Sequence, residues 1–410
     1  MSPPAGSSAL RPVRRRASTL RSNATEDGSA GGRAGSAETI PLAVPDLRGN
    51  EAAYLAKCVA DNWVSSAGPF VTGLETRMAE LTSRRRGVAT VNGTTALHLA
   101  LVAAGAGPGG LVAVPDWTFG ATANAVYHAG AVPYFVDVTR ATWTLDPDLL
   151  ARVLSGADNR IRAVVVVHAL GHPADMTPIM ETCSKAGVPV IEDAAGAIGA
   201  RYNGRPVGNL SDLAVFSFNG NKTITAGGGG MVVTDDDEKA DRMRALSTQA
   251  RLGRDYAYGE VGYNYRMTNL NAAVALAQLE RLDEMLAAKR RIAGAYDEGL
   301  AGRGDLAPMP RAKWAESSCW LYSVKTASAA DAGSLVGHLG AKAIEARPFW
   351  QALSSQAPYR DAPHSLSGVA AALSGRVVSL PCSSSLTAAE QDRVLAALAS
   401  WRGRDLAEAT

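Results

Sequence analysis

Seven short apolar runs punctuate the first 235 or so residues: Val88–Val91, Leu111–Val114, Val132–Val136, Ala163–Val167, Val188–Ile191, Leu213–Phe218 and Met231–Val233. Segments compatible with helices separate them. Several runs are continuous rather than alternating in polarity, as a strand covered on both faces must be. The pattern predicts an α/β domain built on a mostly parallel, seven-stranded sheet. In such sheets ligands collect outside the carboxyl ends of the strands, so the residues just after each run are the ones to read for chemistry.

Around this block the chain changes character. Residues 1–38 hold Arg11, Arg14, Arg15, Arg16, Arg21 and Arg33 among Ser, Gly and Ala, which predicts a disordered basic tail. Glu51 to Asn62 reads as a helix with Asn50 as its N-cap. A long helical stretch from Asn271 to about Leu300, with Leu279, Leu282 and Leu286 at helical spacing, leads into a smaller C-terminal α+β region. That region ends in a helix capped by Thr387 and Glu390. The expected division is a tail (1–38), a large α/β domain (39–275) and a small α+β domain (276–410). Forty-one basic against 39 acidic residues give no bulk attraction for nucleic acid. No apolar stretch reaches the roughly 18 residues of a membrane span. The four cysteines, Cys58, Cys183, Cys319 and Cys382, form no CxxC pair, which fits free thiols in the cytoplasm and no metal site.

Four stretches fall at the predicted sheet edge. Asn92-Gly-Thr94-Thr95 opens directly into a strongly apolar helix, and a helix N-terminus reached through a glycine suits a phosphate. The same residues also suit plain N-capping. Glu192-Asp193 closes the fifth run with two carboxylates, one of which could hold a pyridinium nitrogen protonated. Trp117 and Phe119 follow the second run and offer rings to stack on a flat cofactor. Lys222 lies on a turn between two apolar strands, where desolvation would lower its pKa and make it a nucleophile. Together they suggest pyridoxal phosphate.

Asn92-Gly-Thr-Thr-Ala-Leu-His-Leu-Ala-Leu101, Glu192-Asp-Ala-Ala195, Ser217-Phe-Asn-Gly-Asn-Lys222 and Gly262-Tyr-Asn-Tyr-Arg-Met267 resemble the DegT/DnrJ/EryC1/StrS sugar aminotransferases from about Ile40 to near Ala399. The resemblance implies the fold-type-I aminotransferase architecture and a homodimer with active sites at the subunit interface. It assigns Lys222 to covalent cofactor binding, Asp193 to the ring nitrogen, Phe119 to ring stacking, and Ser217, Thr94 and Thr95 to the phosphate. Asn264 would reach the phosphate from the neighbouring subunit, and Arg266 would meet the donor's carboxylate. Arg347 and Trp350 are candidates for acceptor contacts. Two departures stand out: Gly196 replaces a glutamine common in relatives, and Gly227-Gly228-Gly229-Gly230 replaces Gly-Glu-Gly-Gly. The glycine-run variant, with Phe218-Asn-Gly-Asn-Lys222, Leu246-Ser-Thr-Gln-Ala-Arg251 and Ala346-Arg-Pro-Phe-Trp350, is most similar to the branch acting on UDP-4-keto-6-deoxy-N-acetylhexosamine in legionaminic acid and bacillosamine pathways, with GDP-perosamine synthases next. The implied reaction is transamination of a nucleotide-linked 4-keto-6-deoxysugar with L-glutamate as donor. A cyclitol or 3-ketosugar acceptor, or a non-catalytic regulator keeping the fold, are the alternatives. Dehydratase relatives carry histidine where this chain has Lys222.

Overall fold

The computed structural model describes residues 38–156, 160–253 and 255–409. The predicted basic tail, apart from Glu38, lies outside the described residues. The seven predicted runs are strands β1 (Arg86–Thr90), β2 (Leu111–Pro115), β3 (Val132–Val136), β4 (Ile161–Val167), β5 (Val190–Asp193), β6 (Leu213–Ser217) and β7 (Gly230–Thr234). They lie side by side in the order β1-β7-β6-β5-β4-β2-β3. Only β7 runs antiparallel to its neighbours, β1 and β6; every other pairing is parallel.

Helices cover both faces, which explains the unbroken apolar runs. Along β4, Val164 and Val166 enter one core cluster while Ala163, Val165 and Val167 enter the other. Leu74, Met78 and Ile179 meet the first face; Leu97, Leu101 and Met243 meet the second. Successive side chains point to opposite faces, so both faces must be apolar. Each fully buried valine contributes about 1.5–3 kcal/mol, so neither face tolerates a polar residue cheaply.

The sheet has eight strands rather than seven. β8 (His364–Ser365) comes from the C-terminal part and pairs parallel with β3. Two residues carry no periodicity, so nothing local announces it. The C-terminal part also forms an antiparallel four-stranded sheet in the order Ala307–Pro308, Tyr322–Lys325, Val377–Leu380, Arg347–Phe349. Helices Ala329–Gly340 and Ala388–Ser400 belong to the same part. The capping box is present: Glu390 N donates to Thr387 Oγ1 (3.2 Å), and Thr387 N donates to Glu390 Oε2 (2.8 Å).

Two helix expectations are corrected. The stretch read as one helix from Asn271 divides into Asn269–Leu279 and Leu282–Gly299. At the break the Arg281 guanidinium bonds the carboxylates of Asp46 (3.2 Å) and Glu284 (2.8 Å). Asn50 precedes the helix Glu51–Ala60 but makes no side-chain cap; its Nδ2 donates to Glu280 Oε2 instead. Both side chains serve long-range partners that a local reading does not see. Among the described residues no helix is long and apolar enough to cross a membrane.

Candidate active site

The carboxyl ends of β1, β5 and β6 open onto a cavity of about 520 Å³ lined by Thr94, Phe119, Asp193, Ser217, Lys222, Arg347 and Trp350, among others. The helix Gly93–Ala103 starts at its wall. Asn92 caps it: Asn92 Oδ1 accepts from Thr95 N (2.8 Å), and Thr95 Oγ1 donates to the Asn92 carbonyl (2.8 Å). Thr95 is therefore engaged in the cap and does not line the cavity, whereas Thr94 does. Close packing holds this helix start against the sheet. A Cβ on Gly93 would lie 2.8 Å from Ser217 Cβ, and one on Gly230 would lie 2.5 Å from the Asn92 carbonyl oxygen. The helix's free amide end and the Ser217 hydroxyl are thus brought together by residues without side chains.

Strand alternation separates the two carboxylates of β5. Glu192 turns inward and is fully buried, accepting hydrogen bonds from Gly208 N (2.8 Å), Leu210 N (2.9 Å), Ser211 N (3.1 Å) and Ser211 Oγ (3.0 Å). It also meets His168 Nε2 at 3.1 Å. Because His168 Nδ1 accepts the Ala174 amide (3.0 Å), its Nε2 carries the proton and donates to Glu192. Burial works against the Glu192 charge, yet His168 and the amides outweigh it and hold the carboxyl below its ordinary value.

Asp193 faces the cavity. Its Oδ2 accepts from Thr122 Oγ1 (3.0 Å) and its Oδ1 from Ala195 N (3.2 Å). Since the Thr122 proton is committed to Asp193, Thr118 must donate across the 3.2 Å contact to Thr122. A buried threonine relay therefore fixes the carboxylate's orientation.

Lys222 sits on a closed loop, with its amide donating to the Asn219 carbonyl (3.0 Å) and Ala226 N to the Phe218 carbonyl (2.8 Å). Burial pushes the Lys222 ammonium down to about 8, partly opposed by Asp193. Among the described residues its Nζ makes no hydrogen bond or ion pair. It lies instead 3.5 Å from the ring centroid of Trp320. Trp320 was not singled out from the sequence, where it reads as one more apolar residue in Cys319-Trp-Leu-Tyr322.

Phe119 borders the cavity with 65% of its surface exposed, available to stack on a ligand. Arg347 and Trp350 line it from the C-terminal part. Asn264 and Arg266 do not line the cavity within this chain; they form isolated backbone bridges to Thr248 and Thr90, and Asn264 is exposed. A second space of about 600 Å³, lined by Asn124, His128, Gln351, Gln356 and Tyr359, continues from the first and shares Thr94, Phe119 and Trp350 with it.

A buried amine of lowered pKa, an oriented carboxylate, a helix N-terminus with a hydroxyl beside it and an exposed aromatic ring fit pyridoxal phosphate as a donor set. Fold and site together define a pyridoxal-phosphate-dependent aminotransferase of fold type I. The chain belongs to the DegT/DnrJ/EryC1/StrS aminotransferase family, whose pattern matches residues 45–399. It is 41% identical to a GDP-perosamine synthase of Caulobacter vibrioides over 363 residues, covering 88% of this chain and 97% of that protein. The crystal structure of S. venezuelae DesV superposes with a TM-score of 0.83 at 32% identity, covering 89% of this chain and 99% of that one. The PLP-form of Spr1654 from Streptococcus pneumoniae gives a TM-score of 0.81 at 25% identity, covering 87% and 97%.

Proposed function

We propose that this enzyme transfers the amino group of L-glutamate to a nucleotide-linked 4-keto-6-deoxysugar, working as a cytoplasmic homodimer. The observation that carries the reading is the presence of Lys222 and Asp193 in one cavity that continues into a second space large enough for a sugar nucleotide. The name of the Caulobacter relative, GDP-perosamine synthase, supports a nucleotide-linked sugar and makes GDP the first nucleotide to test.

Pyridoxal phosphate, when bound, supplies a carbonyl that exchanges with amines and a ring that holds an electron pair. The chain's residues do the rest. Lys222 Nζ would hold the cofactor covalently, and as a buried amine of lowered pKa it would take the proton from the donor's α-carbon. Asp193, oriented by Thr122, keeps the ring nitrogen protonated. Thr94, Ser217 and the Gly93 helix start hold the phosphate, with Thr95 shaping that helix start through the cap. Phe119 stacks on the ring. Arg266 would take the donor carboxylate, and Arg347 and Trp350 the acceptor. Asn264 completes the phosphate site from the partner subunit. A dimer is supported by the apolar side chains that one chain leaves bare in the segment leading to Asn264, Tyr256 at 70% and Val261 at 84% exposure.

The test is oxoglutarate production from glutamate with GDP-, UDP- and TDP-linked 4-keto-6-deoxysugars. Multiple turnovers with one of them, and an aminated sugar product, support the reading. Turnover only with a cyclitol or a 3-ketosugar, or with nothing, contradicts it.

A further inference from the structure

Trp320 is held on every side. Its indole N–H donates to the carbonyl of Asn221 (2.7 Å), the residue immediately before Lys222. Its own carbonyl accepts from Lys289 Nζ (3.1 Å), a buried lysine that also donates to the Cys382 carbonyl (2.8 Å). Its ring lies against Gly196 so closely that a Cβ there would meet Cε3 at 2.4 Å. The Lys222 Nζ lies over the ring, 3.5 Å from its centroid. The indole therefore touches the lysine's loop twice, through the backbone before it and through the amine itself.

We propose that Trp320 is the positioning residue for Lys222, its ring face seating the ammonium whenever Nζ is not bonded to the cofactor. The proposal rests on the assignment of Lys222 made above. The physical need is clear: a lysine side chain is a flexible four-carbon stem, and an amine released during the reaction must stay within reach. An aromatic face attracts a cation by its quadrupole and offers no competing acceptor for the proton. Gly196 gives the indole its room, and Lys289 anchors its backbone. The titratable groups sharing the cavity with Nζ are Asp193, His168 and Arg347. Asp193 favours the charged amine while burial disfavours it. The ring face adds to the side of Asp193.

The test follows Lys222 in the cofactor-free full-length protein by trace labelling with acetic anhydride, read by peptide mass spectrometry across pH. Trp320→Leu keeps the wall apolar and removes the ring face. The Lys222 midpoint should then fall from about 8 by about one unit, a tenfold rise in unprotonated amine below the midpoint. Trp320→Phe, which retains a ring, should shift it less than half as far. A merely structural role would let water in and move the midpoint upward. An unchanged or raised midpoint in Trp320→Leu overturns the proposal. A second measurement needs no destabilising change: in protein labelled with 5-fluorotryptophan, the Trp320 ¹⁹F resonance, assigned by its absence in Trp320→Phe, should titrate with the Lys222 midpoint and stop doing so in Lys222→Met. A Trp320 resonance that is flat across that range overturns the proposal whatever the variants show. Neither readout involves turnover, so either failure leaves the aminotransferase reading standing.

Discussion

Replacing Glu192 by glutamine should damage stability, whereas replacing its neighbour Asp193 by asparagine should damage catalysis. The Glu192 carboxylate is met only by donors: Gly208 N and His168 Nε2 on one oxygen, Leu210 N, Ser211 N and Ser211 Oγ on the other. Glutamine offers one acceptor oxygen and turns an NH₂ toward the remaining donors. In its better orientation the amide nitrogen faces Gly208 N and His168. His168 cannot switch tautomer freely, because its Nδ1 already accepts the Ala174 amide. Two buried donors lose their acceptor, at about 1–3 kcal/mol each, so the loss should be about 2–6 kcal/mol. That is a large part of a typical domain's stability of about 5–15 kcal/mol. Asp193→Asn keeps an oxygen for Thr122 and turns its amide toward the single, partly buried donor Ala195 N, so it should cost less than Glu192→Gln, about 1–3 kcal/mol. It should lower amino transfer at least about a hundredfold, since the ring nitrogen loses its charged partner. Urea unfolding followed by far-UV circular dichroism at fixed protein concentration, beside turnover, separates the two. A Glu192→Gln protein as stable as the wild type, or an Asp193→Asn protein that is the less stable of the pair, would refute the reasoning.

Acid should weaken the fold through two buried histidines. Burial pushes His98 and His172 each down to about 4, below the ordinary 6.5, so the stability they contribute is complete above pH 6.5 and is lost as pH falls toward 4. The loss is at most about 3 kcal/mol each, and His98→Asn should flatten part of the fall in urea midpoint between pH 7 and 4.5. Gly93→Ala should push the helix start away from Ser217 and weaken pyridoxal phosphate binding at least about tenfold, measured by fluorescence titration; unchanged affinity would count against this phosphate cradle. If Asn264 serves the partner's site, mixing inactive Lys222→Ala and Asn264→Ala chains should restore turnover above that of either parent, because the mixed dimer holds one intact site.

The sheet was legible because both of its faces are buried, so every central strand advertises itself as an unbroken apolar run. β8 was invisible for the opposite reason: two residues, His364 and Ser365, paired by tertiary placement alone. Asp193 and Ser217 end strands at the carboxyl edge and Lys222, Thr94 and Phe119 follow such strands, where the topology collects ligands, and one cavity joins them. The sequence could not separate Glu192 from Asp193 by role, since only the donors from 208–211 reveal which carboxylate is consumed by the fold. Nor could it show that Trp320, almost a hundred positions beyond Lys222, shares its cavity. Gly196 held the one local hint: a missing side chain close to Asp193, its space filled by an indole from elsewhere.

The most direct test of the central claim is to load the protein with pyridoxal phosphate, reduce it with sodium borohydride and map the attached group by peptide mass spectrometry, with and without prior exposure to glutamate. The account predicts a phosphopyridoxyl group on Lys222 alone, and little or none after glutamate has removed the carbonyl from the lysine. Attachment at another lysine, or attachment at Lys222 that glutamate leaves unchanged, would contradict it.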